Sequence, residues 1–180
     1  MKLQSIDKST YRHKLNRIIV GFVLGFAAQS ILFGTLFIEL FTFGDIPQTL
    51  AEGEEPRSNF KFNLAGVIVG LVVSGAVLHR LRETTYFTEV YYVWQVKQVQ
   101  NLIYRKLSKI NKAAFEQHDA DAMRILNYYY ESLKQVYQLD DNTLTMTKVN
   151  NDHQKVVELA ESHHISFENY EFDKAQLAQF

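Results

Sequence analysis

Hydrophobic and polar positions divide the chain into two long apolar runs and a following region of helical period. Residues 18–38 are 21 consecutive residues without a charged side chain, and residues 62–78 form a second such run of 17. At about 1.5 Å of rise per residue, the first run is long enough to cross a hydrocarbon core roughly 30 Å thick, and the second lies at the short end of the spanning range. The pattern predicts transmembrane helices at 18–43 and 62–79, joined by a short extracytoplasmic connection at 44–61.

The region after the second run has the period of amphipathic helices. An apolar stripe with steps of three and four residues runs from Tyr92 to Ala114, which predicts one long helix. Asp119 can cap a further helix, and "LDDNT" separates that helix from a third that ends near Ser162. The 105 residues from 76 to 180 contain neither glycine nor proline. Because these two residues interrupt regular structure most strongly, their absence favours helices in this region.

The predicted fold class is therefore all-α. An N-terminal two-helix transmembrane hairpin precedes a long amphipathic helix and a cytoplasmic helical bundle or coiled hairpin, the helical module occupying residues 80–164. The acidic, aromatic tail at 165–180 either docks on this module or stays mobile, and the pattern does not decide between the two.

Charge gives the hairpin an orientation. Residues 1–17 hold five basic residues and one acid, a balance of +4, and residues 80–112 hold seven basic residues and two acids, a balance of +5. The connection at 44–61 has two basic residues and four acids, a balance of −2. Because short cytoplasmic segments are enriched in lysine and arginine, both termini are expected on the cytoplasmic side, with residues 1–17 as a basic cytoplasmic N-terminus.

Small residues in the two runs predict where helices pack. Gly66, Gly70 and Ser74 recur every four positions and form a stripe that permits close backbone approach. In an antiparallel hairpin Gly25 is level with Ser74, and Gln29 or Ala28 is level with Gly70, so the face of Gly25 is expected to pack inside the hairpin. A second small face (Ala27, Ser30 and Gly34) is then left for another copy or partner. The residues assigned to helix packing are Gly21, Gly25, Gln29, Gly34, Gly66, Gly70 and Ser74.

Basic and aromatic side chains after the second span suggest contact with anionic lipid, although a solvated basic face accounts for the same pattern. The candidate lipid contacts are Arg80, Arg82, Trp94, Lys97, Arg105, Lys106, Lys109 and Lys112. Membrane lipid, a second copy, and another membrane or cytoplasmic protein are the expected partners. Nucleic acid is not expected, because no recognition motif accompanies the charges.

No set of residues with the spacing of a catalytic or metal site is recognisable. The chain has no cysteine, no glycine-rich phosphate loop and no His–carboxylate pair at helical spacing. The sequence thus predicts a non-enzymatic protein without cofactor or metal. Two polar residues of the first run, Gln29 and Glu39, are candidates for an ion pathway, which leaves a small oligomeric transporter or channel as an alternative function.

The segments "YVWQVKQVQNLIYRKLSKI" and "ILNYYYESLKQVYQLDDNTLT", after a two-span hairpin, resemble an uncharacterised family of small proteobacterial inner-membrane proteins known only as a domain of unknown function. The resemblance covers roughly residues 2–165 and implies a multi-pass protein of the bacterial inner membrane, with no active-site residues to transfer. The favoured hypothesis is a membrane-anchored helical interaction or scaffolding module.

Overall fold

A computed structural model describes residues 1–42 and 58–180, and every regular element in these two ranges is helical. The six α-helices there are α1 (Lys8–Thr42), α2 (Phe60–Leu81), α3 (Thr88–Tyr104), α4 (Leu107–Gln117), α5 (Ala120–Leu139) and α6 (Met146–Ser162). Short 3-10 helices occupy Thr85–Phe87 and Lys174–Gln179. The predicted all-α fold class is confirmed, while most of the predicted connection at 44–61 lies outside the described residues.

The chain folds as two compact units. One, called the hairpin unit below, is Lys14–Thr88; the other, the polar unit, combines Met1–His13 with Glu89–Phe180. Sequence reasoning treated residues 1–17 as a separate basic segment, whereas the structure packs the first thirteen of them with the C-terminal half of the chain.

The hairpin unit contains α2 and the part of α1 from Lys14 onward, and both helices are long and apolar enough to cross a membrane. Their apolar side chains are largely exposed: Ile31 is 71% exposed and Val72 is 66% exposed. Helix α1 begins ten residues before the uncharged run, at Lys8, because Asp7 caps it. The Asp7 carboxylate accepts hydrogen bonds from the Thr10 amide and the Ser9 hydroxyl, each at 2.8 Å.

The polar unit has a conventional helical core. Its fully buried side chains include Val96, Ile103, Ile110, Met123, Ile125, Leu126, Val156 and Phe172. A buried polar pair also links α3 to α5, since Gln100 Nε2 donates to the Ser132 hydroxyl at 3.1 Å and that hydroxyl donates to the Tyr129 carbonyl at 2.7 Å. The Gln100 amide nitrogen and the Ser132 hydroxyl thus each donate to an acceptor, as buried polar side chains generally do.

The predicted start of α5 is confirmed. His118 ends α4 in the left-handed conformation with φ of 55°, and Asp119 accepts a hydrogen bond from the Ala122 amide at 2.7 Å. Together they reverse the chain in two residues, so that α4 and α5 pack as neighbours.

The single long helix predicted from Tyr92 to Ala114 is divided into α3 and α4. Lys106 leaves helical geometry (φ −112°, ψ 4°), and its ammonium group donates to the Leu177 carbonyl at 2.6 Å. The apolar stripe continues through the break, with Ile103 and Ile110 both fully buried. Periodicity alone could not reveal the interruption, because the residue that breaks the helix is held by a contact with the distant tail.

The tail at 165–180 docks on the core instead of remaining free. Phe172 is 1% exposed and its ring stacks on Tyr128 with centroids 5.1 Å apart. Asp173 and Gln176 form a reciprocal capping box that starts the last 3-10 helix, whose Leu177 is buried. Of the two alternatives that the sequence left open, the structure shows the docked one.

Candidate functional site

The contact between α1 and α2 is a seam of small residues. Gly66, Gly70 and Ser74 are the buried residues of α2. A Cβ atom placed on Gly66 would lie 2.4 Å from the Gly34 nitrogen and 2.8 Å from the Ser30 carbonyl oxygen. Since these are backbone atoms that cannot rotate away, the two helices touch main chain to main chain, and any side chain at Gly66 would force them apart.

The α1 side of the seam differs from the one predicted. We expected the face of Gly25 and Gln29 inside the hairpin and Gly34 outside, but Gly70 is met by Ser30 and Gly66 by Gly34. The predicted pairing of Gln29 with Gly70 is thus displaced by one residue. One residue turns a helix by 100°, so Ser30 and Gly34 make the closest contact with α2, while Gly25 and Gln29 line a cavity that Ser74 of α2 also borders. Gly34 and Gly66 both lack a Cβ, which allows the closest approach.

The other face of α1 borders an open groove. A Cβ on Gly21 would meet nothing within 4 Å, and one on Gly25 would meet only the Gln29 amide nitrogen, at 3.9 Å. Beside them is a cavity of about 350 Å³ between the two helices, which we call the hairpin groove. Its lining residues are Arg17, Ile18, Gly21, Phe22, Gly25, Gln29, Ser74, Val77, Leu78, Leu81, Tyr86 and Phe87.

Polar atoms lie at the deep end of this groove without partners. The Gln29 side-chain oxygen and the Ser74 hydroxyl are inaccessible to solvent and have no hydrogen-bond partner among the described residues, and the same is true of the Ser30 hydroxyl in the seam. Ser74 as a whole is only 5% exposed. An unpaired polar group in an apolar environment carries a desolvation penalty of about 1–3 kcal/mol, so these atoms favour a further hydrogen-bonding partner.

The two residues proposed for an ion pathway have different surroundings. Gln29 lines the hairpin groove, whereas Glu39 is exposed and is not among the groove residues. Their separation of ten residues corresponds to about 15 Å along the helix.

The basic residues proposed for lipid contact have different surroundings within their own units. Lys97 pairs with Asp140 at 2.7 Å, and Lys106 donates to the Leu177 carbonyl, so both have partners within the polar unit. Lys112 lies 4.0 Å from Glu116, and Arg82 lies 3.4 Å from Glu83. Arg80 is exposed, and Lys109 and Lys112 border a cavity with Gln179 and Phe180. Lipid contact by all of the proposed residues stays a prediction.

Trp94 and Arg105 line a cavity of the polar unit that measures about 780 Å³. Trp94 is 50% exposed and stacks on Tyr91 with ring centroids 5.5 Å apart and planes 12° from parallel. Lys2 and Lys174 add two further cations to the cavity wall. Tryptophan, tyrosine and arginine, the three residue types that meet at this cavity, are enriched at protein–protein hot spots.

The N-terminal segment is anchored by contacts that the sequence did not indicate. Tyr11 is 2% exposed, and its hydroxyl donates to Asp140 at 3.0 Å. Burial, and then the hydrogen bond to Asp140, raise the pKa of Tyr11. Asp141 pairs with Lys8 and lies 3.8 Å from Arg12, and the hydrogen bond from Lys8 lowers the pKa of Asp141. A lone tyrosine within a basic segment was the one available signal.

Three of the six histidines make local contacts in the polar unit. His118 and His163 stack with ring centroids 4.3 Å apart, and no group of three metal-binding side chains occurs within the described ranges. His153 lies between Lys134 Nζ, at 2.9 Å, and Asn127 Oδ1, at 2.7 Å. Burial, and to a lesser extent the Lys134 charge, lower the pKa of His153.

Comparison with known proteins places the chain in a family but assigns no activity. The model of a family described as "Protein of unknown function (DUF3087)" matches residues 1–177. No curated protein and no solved structure matches the chain. The match confirms the resemblance to an uncharacterised family over nearly the whole sequence.

Proposed function

We propose that this chain, which belongs to DUF3087, a family of proteins of unknown function, is a non-enzymatic, multi-pass protein of the bacterial inner membrane. Its hairpin unit anchors it in the bilayer, both termini are cytoplasmic, and the polar unit is a helical interaction module.

Exposure of the two apolar helices supports the membrane location. In the most apolar 18-residue windows, only 6% of the residues of α1 and 17% of those of α2 are buried. A core helix of a soluble protein would bury most of such a window. Exposed apolar faces of this extent mark surfaces that are covered by lipid or by another protein.

The single observation that most supports this topology is that the polar unit is built from two segments of the chain, one on each side of the hairpin. Residues before the first apolar helix (Met1–His13) and residues after the second (Glu89–Phe180) fold into one compact unit. Tyr11 in the first segment bonds to Asp140 in the second, and the Phe172 amide donates to the Met1 carbonyl at 3.1 Å. The two segments must therefore lie on the same side of any membrane that the hairpin spans. The charge balances beside the two apolar runs, +4 over residues 1–17 and +5 over residues 80–112, favour the cytoplasmic side.

The surface of the polar unit supports an interaction role. Exposed Trp94 stacks on partly buried Tyr91, and both residues line a surface cavity together with Arg105. Tyrosine, tryptophan and arginine are the residue types that contribute most to protein–protein binding. We assign partner binding to this surface.

Topology is tested with single cysteines, since the natural chain has none. Ser5→Cys, Ser58→Cys and Ser108→Cys all lie at exposed positions. In intact spheroplasts an impermeant maleimide should label only Ser58→Cys, and all three should react after the membrane is opened. Labelling of Ser5→Cys and Ser108→Cys on opposite sides would refute the proposed arrangement.

Partner binding is tested by crosslinking in native membranes followed by mass spectrometry. Trp94→Ala should remove the crosslinks made by the polar unit, while Tyr104→Ala, at a residue that is 65% exposed, should preserve them. Equal crosslinking by both variants would rule out the Tyr91–Trp94 surface as the binding site.

A further inference from the structure

The hairpin groove contains an arrangement that a single copy leaves incomplete. Gly21, Gly25 and Gln29 follow one another at four-residue steps and line the same cavity. We propose that a second copy of this chain occupies the groove, with α1 packing against α1 along these three residues. The inference rests on the proposed membrane location and adds to it the identity of one partner.

Gly66 and Gly70 of α2 differ from Gly21 and Gly25 of α1 in what an added side chain would contact. Substitution at Gly66 or Gly70 would clash with Gly34 or Ser30 of the same copy, at 2.4 and 2.7 Å respectively. Gly21 and Gly25 have no such neighbour, although they present an equally smooth helix surface. Small residues four apart in a membrane helix allow a second helix to approach closely, and here the approach is still open.

Unpaired polar atoms show that the groove needs a partner with hydrogen-bonding groups. Ser74 is 5% exposed and its hydroxyl has no partner in the described residues, and the Gln29 side-chain oxygen is equally unpaired. Both residues line the groove. Acyl chains provide neither donor nor acceptor, so lipid alone would leave both atoms unsatisfied.

A second copy fits because the side-chain amide is self-complementary. Gln29 carries a donor group and an acceptor oxygen, so two copies related by a twofold axis can each donate to the other. Copies inserted in the same orientation place Gln29 at the same depth automatically. Arg17, at the other end of the groove, would approach its counterpart twelve residues away from Gln29, about 18 Å along the helix, where water screens the repulsion.

The first experiment measures self-association of the full chain by energy transfer between labelled copies in lipid vesicles. Gly21→Val and Gly25→Val each fill the groove face and should weaken association by roughly 10-fold or more, as for other close-packed membrane helix pairs. Gly75→Val is the matched control: a Cβ there also meets nothing within 4 Å, but Gly75 does not line the groove. Gln29→Leu removes the amide and should weaken association to a similar or smaller degree.

A second experiment uses neighbouring isoleucines as crosslinking sites. Ile18 lines the groove, and Ile19, the next residue, is 49% exposed on a different side of the helix. Under oxidation in native membranes, Ile18→Cys should form a disulfide-linked dimer and Ile19→Cys should not.

Equal association of Gly21→Val, Gly25→Val and Gly75→Val, or equal crosslinking at positions 18 and 19, would overturn the proposal. A protein that is membrane-embedded with the expected cysteine labelling but strictly monomeric would refute only this inference. A protein that is absent from the membrane fraction would refute the proposed function itself, so the two failures are distinguishable.

Discussion

Gly66→Ala is the substitution that most directly tests the seam between α1 and α2. The added methyl group would lie 2.4 Å from the Gly34 nitrogen and 2.6 Å from its Cα atom, while ordinary contact begins at 3.4 Å. The helices must therefore separate locally by about 1.0 Å, the difference between 3.4 and 2.4 Å. A gap of this size forfeits a quarter to a half of the dispersion energy of the atom pairs that it opens.

Two opposing effects set the size of the change. Overpacking a close contact costs about 1–3 kcal/mol. Alanine also forms helices more readily than glycine, which stabilises the folded state by up to about 1 kcal/mol in a helix interior. Gly75→Ala has the second effect without the first, because a Cβ at Gly75 meets nothing within 4 Å. The difference in unfolding free energy between the two variants should thus be about 1–3 kcal/mol, with Gly66→Ala the less stable.

The separation itself is measured with spin labels on a chain that has no natural cysteine. Labels at Leu36 and Leu64, which are 43% and 46% exposed, flank the Gly34–Gly66 contact. Gly66→Ala should lengthen the distance between them by about 1 Å, in keeping with the van der Waals deficit. Gly70→Ala should have a smaller effect, because its nearest neighbour is the Ser30 hydroxyl, which can rotate. Equal distances and equal stabilities for Gly66→Ala and Gly75→Ala would show that the described seam is wrong.

Three further predictions concern the polar unit. Asp119→Ala removes the cap of α5 and should lower the unfolding free energy by about 1 kcal/mol in chemical denaturation, whereas Asp119→Asn should retain most of it. Tyr11→Ala should release the N-terminal segment, seen as faster hydrogen exchange over residues 1–13, and Tyr11→Phe, which loses only the bond to Asp140, should cost about 1 kcal/mol. Because the pKa of His153 is lowered in the folded state, the unfolded state binds the additional proton: stability is highest above pH 6.5 and falls as the pH decreases below that value. His153→Gln should flatten this pH dependence in thermal unfolding measured from pH 7.5 to 5, and an unchanged slope would contradict the assignment.

Local signals in the sequence predicted much of the fold. The uncharged runs correspond to the central parts of α1 and α2, and the capping aspartate at position 119 starts α5 as expected. The third helix of the module, α6, ends at Ser162, where the sequence predicted its end. These features depend on residues close together in the chain, and for such features period and capping are sufficient evidence.

Features that depend on distant residues were not predictable in the same way. The break at Lys106 involves the carbonyl of Leu177, and the anchoring of Tyr11 involves Asp140. Each contact joins segments that are more than seventy residues apart. No local period encodes such a contact, because the residues at one end carry no information about which carbonyl or carboxylate will be near.

The largest difference between prediction and structure concerns which face of α1 contacts α2. The small residues were recognised in the sequence, but the wrong set was assigned to this contact. Helix α1 carries small residues on two sides, and either side could in principle have met the stripe of α2. The structure selects Ser30 and Gly34, where a glycine faces a glycine and main chains can touch. That choice leaves the Gln29 amide on the side away from the closest contact, with its oxygen unpaired. The polar residue at the middle of the first apolar run is then explained by association between copies more simply than by packing within one hairpin.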